Sequence, residues 1–132
     1  MKLSTILTAI VFTAVTLKTC FAENLTELFT PEQNTTILRT IDNVCGDTWC
    51  EGDYNFKFIT FSCEKEMSTC HLNFRFIKSE NDEDQILSPI QVCHFKNIKS
   101  YDQVMEGHHS LNGDFLDRIS DCISNKESSV KF

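Results

Sequence analysis

The stretch CGDTWCEGDYNFKFITF, residues 45–61, decides the fold of this chain. Its first half combines two cysteines and the single tryptophan with acidic and glycine residues, which are typical of a turn. In its second half Tyr54, Phe56 and Phe58 alternate with polar residues, as expected for a β-strand with one buried face. The stretch therefore predicts a turn between a preceding helix and a following strand.

The preceding residues carry the signals of an amphipathic helix over 31–45. Thr30 and Gln33 have the spacing of a capping box, and Pro31 occupies the first helical position, where its missing N–H costs nothing. Gly46 is placed to end the helix in a left-handed conformation. The buried face is predicted from five apolar residues at helical spacing: Ile37, Leu38, Ile41, Val44 and Cys45.

The strand that starts at Tyr54 changes phase part-way along. Ile59, Phe61 and Cys63 continue the apolar alternation on the other parity. This slip predicts either a β-bulge near Phe58 and Ile59 or a second half that is buried on both faces. The pattern leaves both alternatives open.

The next segments predict the rest of a small sheet. A second strand is predicted over 70–76, where apolar and polar residues alternate, and the polar turn at 64–68 makes the two strands an antiparallel hairpin. The acidic run at 79–85 predicts a solvated loop, and a third strand is predicted over 90–95. Residues 23–29, at the other end of the domain, are predicted to form a loosely held arm.

The C-terminal third predicts two short helices. Ser100 and Gln103 repeat the capping-box spacing and begin the first helix, which Gly107 breaks. The apolar stripe of 115–123 repeats that of the N-terminal helix, and the polar tail from Asn125 is predicted to fray. Together these elements predict an α+β fold: a small disulfide-bonded domain with an N-terminal helix, an antiparallel sheet of about three strands, and C-terminal helices packed on one face.

Residues 1–22 are predicted to be a cleaved export signal. Lys2 precedes an apolar run over 3–17, and Ala22 ends a cleavage site of the small-x-small type. The run is shorter than the roughly 20 residues that a membrane-spanning helix needs. The mature chain is therefore predicted to be a single secreted or periplasmic domain over 23–132, with no membrane span.

Charge and cysteine content limit the classes of function. The chain has 12 basic residues, 19 acidic residues and seven cysteines. Removal of residues 1–22 takes away two lysines and one cysteine, which leaves a net charge of -9 and six cysteines. A net charge this negative disfavours nucleic acids and anionic membranes as partners, because both attract basic proteins. An even number of cysteines in a short exported chain predicts a disulfide framework.

Three disulfides are predicted from the positions of the cysteines. One pair faces across the hairpin turn, a second joins the apolar stripe of the last helix to the third strand, and a third closes the turn after the first helix. For the third pair the alternative remains open that each cysteine reaches another strand. The predicted pairs are Cys63–Cys70 across the hairpin turn, Cys93–Cys122 between the third strand and the last helix, and Cys45–Cys50 around the turn after the first helix. The last pair lacks the C-x-x-C spacing of redox motifs and zinc knuckles, which disfavours both roles.

The turn itself is the predicted binding site. Asp47, Trp49, Glu51 and Asp53 are gathered there, and a disulfide across the turn would hold them rigid, so that little entropy is lost on binding. Tryptophan is also enriched among residues that dominate binding energy. The plainer alternative is that the acids cap the turn and that Trp49 packs inward on Phe56. The acidic spacing is not that of a calcium-binding EF-hand loop, and no metal or cofactor is predicted.

The four histidines predict no catalytic residue. His71 and His94 fall on predicted strands, whereas His108 and His109 are adjacent at a helix end, where neighbouring side chains point about 100° apart. An acid–base pair between a histidine and an aspartate of the last helix is an alternative. No G-x-S-x-G, H-E-x-x-H, phosphate-loop or dinucleotide motif accompanies them.

These observations favour an exported, disulfide-stabilised binding or interaction protein whose partner is a protein or a small ligand. One alternative is a small secreted hydrolase that uses a histidine and carboxylates, and another is a structural component of the cell envelope. A histidine beside an acid in a cleft would favour the enzyme, whereas a filled, convex surface would favour the binding protein.

Overall fold

The computed structural model describes residues 26–48 and 54–130, which form an α+β fold as predicted. The elements in chain order are α1 (Pro31–Thr48), β1 (Asn55–Glu64), β2 (Thr69–Glu80), β3 (Glu83–Ile86), β4 (Gln91–Phe95), β5 (Met105–Glu106), β6 (Ser110–Leu111) and α2 (Gly113–Ser129). The first four strands form one antiparallel sheet, in which β2 is central and pairs with β1, β3 and β4. This sheet has four strands where about three were predicted, because β3 was not anticipated.

Helix α1 begins with the predicted capping box. The Gln33 N–H donates to Thr30 Oγ1 at 3.2 Å, and the Thr30 N–H donates to Gln33 Oε1 at 2.9 Å. The helix continues to Thr48, so the prediction that Gly46 ends it is wrong. A glycine inside a helix costs only about 1 kcal/mol relative to alanine, so one glycine does not suffice to stop the helix.

Strands β1 and β2 form the predicted hairpin, and the phase slip in β1 is a β-bulge. The register shifts between Phe58 and Thr60, so Ile59 is the extra residue. Because the bulge changes the parity of the strand, Phe56 before it and Phe61 after it are both buried. The other alternative, burial on both faces, is wrong because Thr60 is exposed.

The acidic run at 79–85 belongs to a second hairpin, so the prediction of a loop is wrong. Strand β2 continues to Glu80, and β3 begins at Glu83 and pairs with it antiparallel. Asn81 and Asp82 form the two-residue turn with φ angles of 54° and 64°, a left-handed conformation that these residue types tolerate. All residues of β3 are exposed, and no apolar alternation therefore marks this strand in the sequence.

Residues 100–108 do not form the short helix that was predicted. A 3-10 turn at Tyr101–Gln103 leads into β5, which pairs with β6 around a turn that contains Gly107. Gly107 has a φ of 68°, a conformation that favours glycine. A helix this short has few hydrogen bonds to offset its nucleation. A small hairpin that buries Val104 and Met105 forms in its place.

Helix α2 follows the apolar stripe predicted for the last helix but is longer than expected. Its N-cap is Asn112, whose Oδ1 accepts the N–H groups of Asp114 at 3.0 Å and Phe115 at 3.3 Å. The helix extends to Ser129, so the prediction of a frayed tail from Asn125 is wrong. The lysine and glutamate in this last segment are strong helix formers, which explains the extension.

One hydrophobic core is shared by the sheet and both helices. Helix α2 contributes Phe115, whose ring centroid lies 6.0 Å from that of Phe61 and 4.9 Å from that of Phe95. Helix α1 contributes Ile37 and Ile41, both fully buried. The helices therefore cover the apolar side of the sheet, in the layered arrangement that was predicted.

The arm that precedes α1 is bound to the β1–β2 hairpin, so the prediction that 23–29 are loosely held is wrong for the described part of this range. The Lys65 N–H donates to the carbonyl oxygen of Thr26 at 2.9 Å. Phe29 is buried in the core, and its ring centroid lies 5.6 Å from that of Tyr101. Burial of an aromatic side chain stabilises the fold by about 1.5–3 kcal/mol, which, together with the backbone hydrogen bonds to the hairpin, offsets the entropy lost when the arm is ordered.

The contact of this arm predicts a pH dependence at Glu66. Hydrogen bonds from the Glu66 backbone N–H and from the Thr26 hydroxyl lower the pKa of the Glu66 carboxyl. The contact therefore stabilises the fold above the ordinary pKa of glutamate, and this stabilisation is lost as the pH falls through the lowered folded-state pKa. We expect Thr26→Val to raise the pKa of Glu66, as measured by a carbon-detected NMR titration. An unchanged titration midpoint in Thr26→Val would show that the hydroxyl does not contribute.

Candidate functional site

The predicted binding turn lies mostly outside the described residues. Asp47 belongs to the last turn of α1, and Cys45 on the preceding turn is disulfide-bonded. Four of the predicted residues lie outside the described part of the chain: Trp49, Cys50, Glu51 and Asp53. The binding role of this turn and the Cys45–Cys50 pairing therefore stay predictions.

The other two predicted disulfides are present in the structure. Cys63 and Cys70 face each other across the β1–β2 hairpin, with Cα atoms 4.0 Å apart. Cys93 on β4 is joined to Cys122 on α2, with Cα atoms 6.1 Å apart. One bridge thus ties β1 to β2, and the other ties β4 to the helix that covers it.

Strands β2 and β4 bring two histidines into contact on the side of the sheet that faces away from the core. Nδ1 of His71 lies 2.8 Å from Nδ1 of His94, and the two rings are nearly perpendicular, with centroids 4.9 Å apart. This is a hydrogen bond in which one ring donates Nδ1–H and the other accepts, so only one of the two Nδ1 atoms carries a proton. His94 is exposed and His71 is half-buried, so solvent reaches the pair.

The strand register explains why the histidines meet. Cys93 lies opposite Leu72, and both are buried in the core. Because side chains alternate along a strand, the next pair in the register, His71 and His94, points the other way. Each histidine directly follows a disulfide-bonded cysteine, Cys70 or Cys93. Both strands are therefore covalently tied on the core side immediately beside the histidine contact.

A carboxylate stands on the opposite side of His71. Glu64 Oε1 lies 3.6 Å from Nε2 of His71, the ring nitrogen that is turned away from His94, and both side chains are about one quarter exposed. The negative charge of the carboxylate favours a proton on Nε2 of His71 and leaves Nδ1 of that ring as the acceptor. The proton between the two rings is then carried by Nδ1 of His94.

The histidines belong to a mainly polar surface on the outer side of the sheet. Asn73 Nδ2 donates to Thr60 Oγ1 at 2.7 Å and links β1 to β2 beside the histidines. We call this surface the histidine face and define it by the polar outward-facing residues around the pair, all of them exposed or half-buried: Thr60, Ser62, Glu64, His71, Asn73 and His94. The apolar Val92 lies opposite Asn73 and is half-buried beside them.

The remaining histidines lie elsewhere. His108 and His109 are exposed in the β5–β6 turn, with ring centroids 6.4 Å apart. Within residues 26–48 and 54–130, no ion pair joins either of them to Asp114 or Asp117 on α2. The same part of the chain holds no group of three or more histidine, cysteine, aspartate or glutamate side chains placed to bind a metal ion.

Among the open grooves in the described part of the chain, two lie between a helix and the sheet. The first has a volume of about 490 Å³, lies between β4 and α2, and is lined by His94 together with Arg118, Asp121 and Lys126. The second has a volume of about 420 Å³, lies between α1 and β1, and mixes apolar side chains such as Leu38 with charged ones. His94 therefore belongs both to the histidine face and to a groove that contains an acid.

No protein-family model, curated protein or solved structure matches this chain. Its function must therefore be argued from its own residues. No helix in the described part of the chain is both long enough and apolar enough to cross a membrane.

The sequence patterns place His71 and His94 on strands but do not bring them together. Their contact depends on the register between β2 and β4, and 23 positions separate the two residues in the chain. The available signal was the repeated Cys-His dipeptide at Cys70 and Cys93. Once both cysteines are assigned to the core face, both histidines must face outward.

Proposed function

We propose that this chain is an exported, disulfide-stabilised binding protein and that the histidine face is its recognition surface. The observation that carries the proposal is the contact between His71 and His94, made by two strands that are each anchored by a disulfide beside it. A surface that is fixed before binding loses little conformational entropy when its ligand arrives. A secreted or periplasmic location fits because disulfides persist in oxidising compartments.

The chemistry of the histidine face suits a polar ligand. Its side chains are hydroxyls, an amide, imidazoles and a carboxylate, and each of them donates or accepts hydrogen bonds. The cluster of phenylalanines lies on the other side of the sheet and is taken up by the core. Recognition here would therefore rest on directed hydrogen bonds and charge, with little burial of apolar surface.

Export predicts a defined mature N-terminus. We expect the protein recovered outside the cytoplasm to begin at Glu23, because Ala22 ends the predicted cleavage site. N-terminal sequencing measures this directly. Ala22→Asp is expected to leave the precursor uncut, whereas Ser4→Ala is the control that should be processed normally. An intact Met1 on the mature protein, or a purely cytosolic location, would contradict export.

The recognition surface is tested by photo-crosslinking in the exporting cell. A photoreactive amino acid at Thr60, which is exposed on the histidine face, is expected to give an adduct of one defined mass. The same amino acid at Asp117, which is exposed on α2, is the matched control and is expected to give none. Adducts of equal yield at both positions would indicate nonspecific contact and contradict the proposal.

The specificity of the Thr60 adduct is tested by a second substitution on the same surface. Asn73→Arg introduces a long charged side chain beside Thr60 without touching the core, and it is expected to abolish the adduct. Ser124→Arg introduces the same charged side chain on the exposed side of α2 and is expected to leave the adduct unchanged. An adduct that survives Asn73→Arg would place the ligand elsewhere.

A second candidate function is a hydrolase, and the row formed by Glu64, His71 and His94 favours it. A carboxylate that orients one imidazole, which in turn contacts another, can move a proton, and His94 borders the groove that holds Asp121. The binding proposal ranks first because the two Nδ1 atoms are directed at each other. Hydrolysis of ester or peptide substrates that is lost in His94→Gln, at unchanged stability, would reverse this order.

A further inference from the structure

We infer that the His71–His94 pair binds a divalent transition-metal ion, Cu²⁺ or Ni²⁺, through the two Nδ1 atoms. The inference rests on the proposed function, since the ion would be held on the histidine face, and it names the class of ligand. Imidazole nitrogen is a favourable ligand for both ions. Two imidazoles on adjacent strands, with their Nδ1 atoms 2.8 Å apart, form a ligand pair that needs a rotation of the rings and a change of tautomer but no movement of the backbone.

The separation of the two nitrogen atoms is compatible with cis coordination of one ion, once both rings turn so that their Nδ1 lone pairs converge on it. With metal–nitrogen bonds of about 2.0–2.1 Å, two ligands at 90° lie ~2.9 Å apart, and two tetrahedral ligands lie ~3.4 Å apart. The Nδ1 atoms of His71 and His94 are 2.8 Å apart, close to the first value. Square-planar and octahedral complexes place neighbouring ligands at 90°, and Cu²⁺ and Ni²⁺ adopt such geometries, whereas Zn²⁺ prefers a tetrahedral one.

Metal binding would replace the hydrogen bond between the two rings. In the metal-free pair, Nδ1 of His94 carries the proton and Nδ1 of His71 offers its lone pair. Coordination by both Nδ1 atoms requires the proton of His94 to move to Nε2 of the same ring, through exchange with solvent at this exposed side chain. Both rings stay neutral, so the ion displaces a hydrogen bond and no net proton is released.

Glu64 prepares His71 for this role. Its carboxylate favours the Nε2–H tautomer of His71, which leaves the Nδ1 lone pair free for the ion. The negative charge of the carboxylate also partly offsets the charge of the ion. Glu64 is therefore a positioning residue and not a ligand.

The other coordination positions are left to water or to a bound partner. Within residues 26–48 and 54–130, no third histidine, cysteine, aspartate or glutamate is placed to complete the site. An ion with open positions can take a donor atom from an incoming molecule. The metal would then act as the polar anchor of the recognition surface.

The inference is tested by calorimetric titration of the mature protein with NiCl₂ and with CuCl₂. We expect one ion to bind per chain. His71→Ala and His94→Ala are each expected to weaken binding by at least about tenfold, because each removes one of the two protein ligands. The double variant His108→Ala/His109→Ala is the matched control, since it also removes two imidazoles and is expected to bind as the unmodified protein does.

Glu64→Gln separates positioning from coordination. It is expected to weaken binding by roughly tenfold, and nitrogen NMR of His71 is expected to show a smaller population of the Nε2–H tautomer. Paramagnetic Cu²⁺ is expected to broaden the signals of His71 and His94 in the unmodified protein. This last measurement does not depend on the folding of any variant.

The metal site would be overturned if His71→Ala and His94→Ala bound the ions with unchanged affinity. It would also be overturned if Cu²⁺ broadened mainly the signals of His108 and His109. The crosslink at Thr60 separates this failure from that of the proposed function. A Thr60 adduct that forms in excess chelator, in a protein that binds neither ion, would retain the recognition surface and reject the metal. Binding of one ion at the histidine pair without a Thr60 adduct would retain the metal and reject the recognition surface.

Discussion

Phe74→Ala is expected to lower the free energy of unfolding by about 3–5 kcal/mol. Phe74 lies on the central strand β2 and is fully buried, with ring centroids of Phe56 at 6.0 Å and Phe76 at 5.5 Å. Truncation removes this packing and leaves a cavity that the surrounding strands cannot fully close. Urea denaturation followed by circular dichroism measures the loss. Phe74→Leu keeps most of the volume and is expected to lose much less.

Asn73→Ala is the matched control for Phe74→Ala, since it changes the neighbouring residue on the same strand. Asn73 faces outward and loses one exposed hydrogen bond to Thr60, so the expected loss is below about 1 kcal/mol. The difference between the two losses in the free energy of unfolding shows that one side of the sheet is buried and the other is exposed. Comparable losses would contradict the assignment of the two sides and, with it, the location of the histidine face.

Removal of the bridge between β4 and α2 is expected to have the second largest effect. The bridge closes the unfolded chain into a loop with a sequence separation of 29. Cys93→Ala/Cys122→Ala opens this loop and raises the entropy of the unfolded chain, so the expected loss of stability is about 3–4 kcal/mol. The same bridge anchors β4 directly beside His94, so its loss is also expected to loosen the contact with His71. Urea denaturation without reductant, together with nitrogen NMR of both histidines, measures the two effects.

The hairpin bridge provides the comparison for this double variant. Cys63→Ala/Cys70→Ala opens a loop with a sequence separation of only 7, and the expected loss is about 2–3 kcal/mol. Both double variants remove two cysteines, so the difference between them reports mainly on loop length. A larger loss from the hairpin bridge would contradict the entropic explanation.

Most of the features that were predicted correctly depend on residues close together in the chain, and the Cys93–Cys122 bridge, with a sequence separation of 29, is the exception. The capping box of Thr30 and Gln33 follows from a pattern that spans a few positions, and so does the phase slip at Ile59, although the sequence left open whether it was a bulge. The pairing of Cys63 with Cys70 follows from a single hairpin turn. Helical and strand periodicities encode such features directly, because the side-chain directions repeat every 3.6 or 2 residues.

The features that were missed carry no apolar periodicity or depend on one backbone angle. Strand β3 is exposed along its whole length, so hydrophobic alternation does not reveal it. Its hairpin depends on the left-handed conformations of Asn81 and Asp82, and the small β5–β6 hairpin depends on Gly107. The extension of α1 past Gly46 shows the converse, because a glycine permits a helix end without requiring one.

The sequence by itself determined which residues of β2 face the core and which face outward. It did not determine which outward residues become neighbours. The contact between His71 and His94 arises from the register between β2 and β4. In the observed register Leu72 lies opposite Cys93 and both are buried, so core packing between β2 and β4 brings the two histidines together. These contacts join residues far apart in the chain, so only the tertiary structure decided the histidine face.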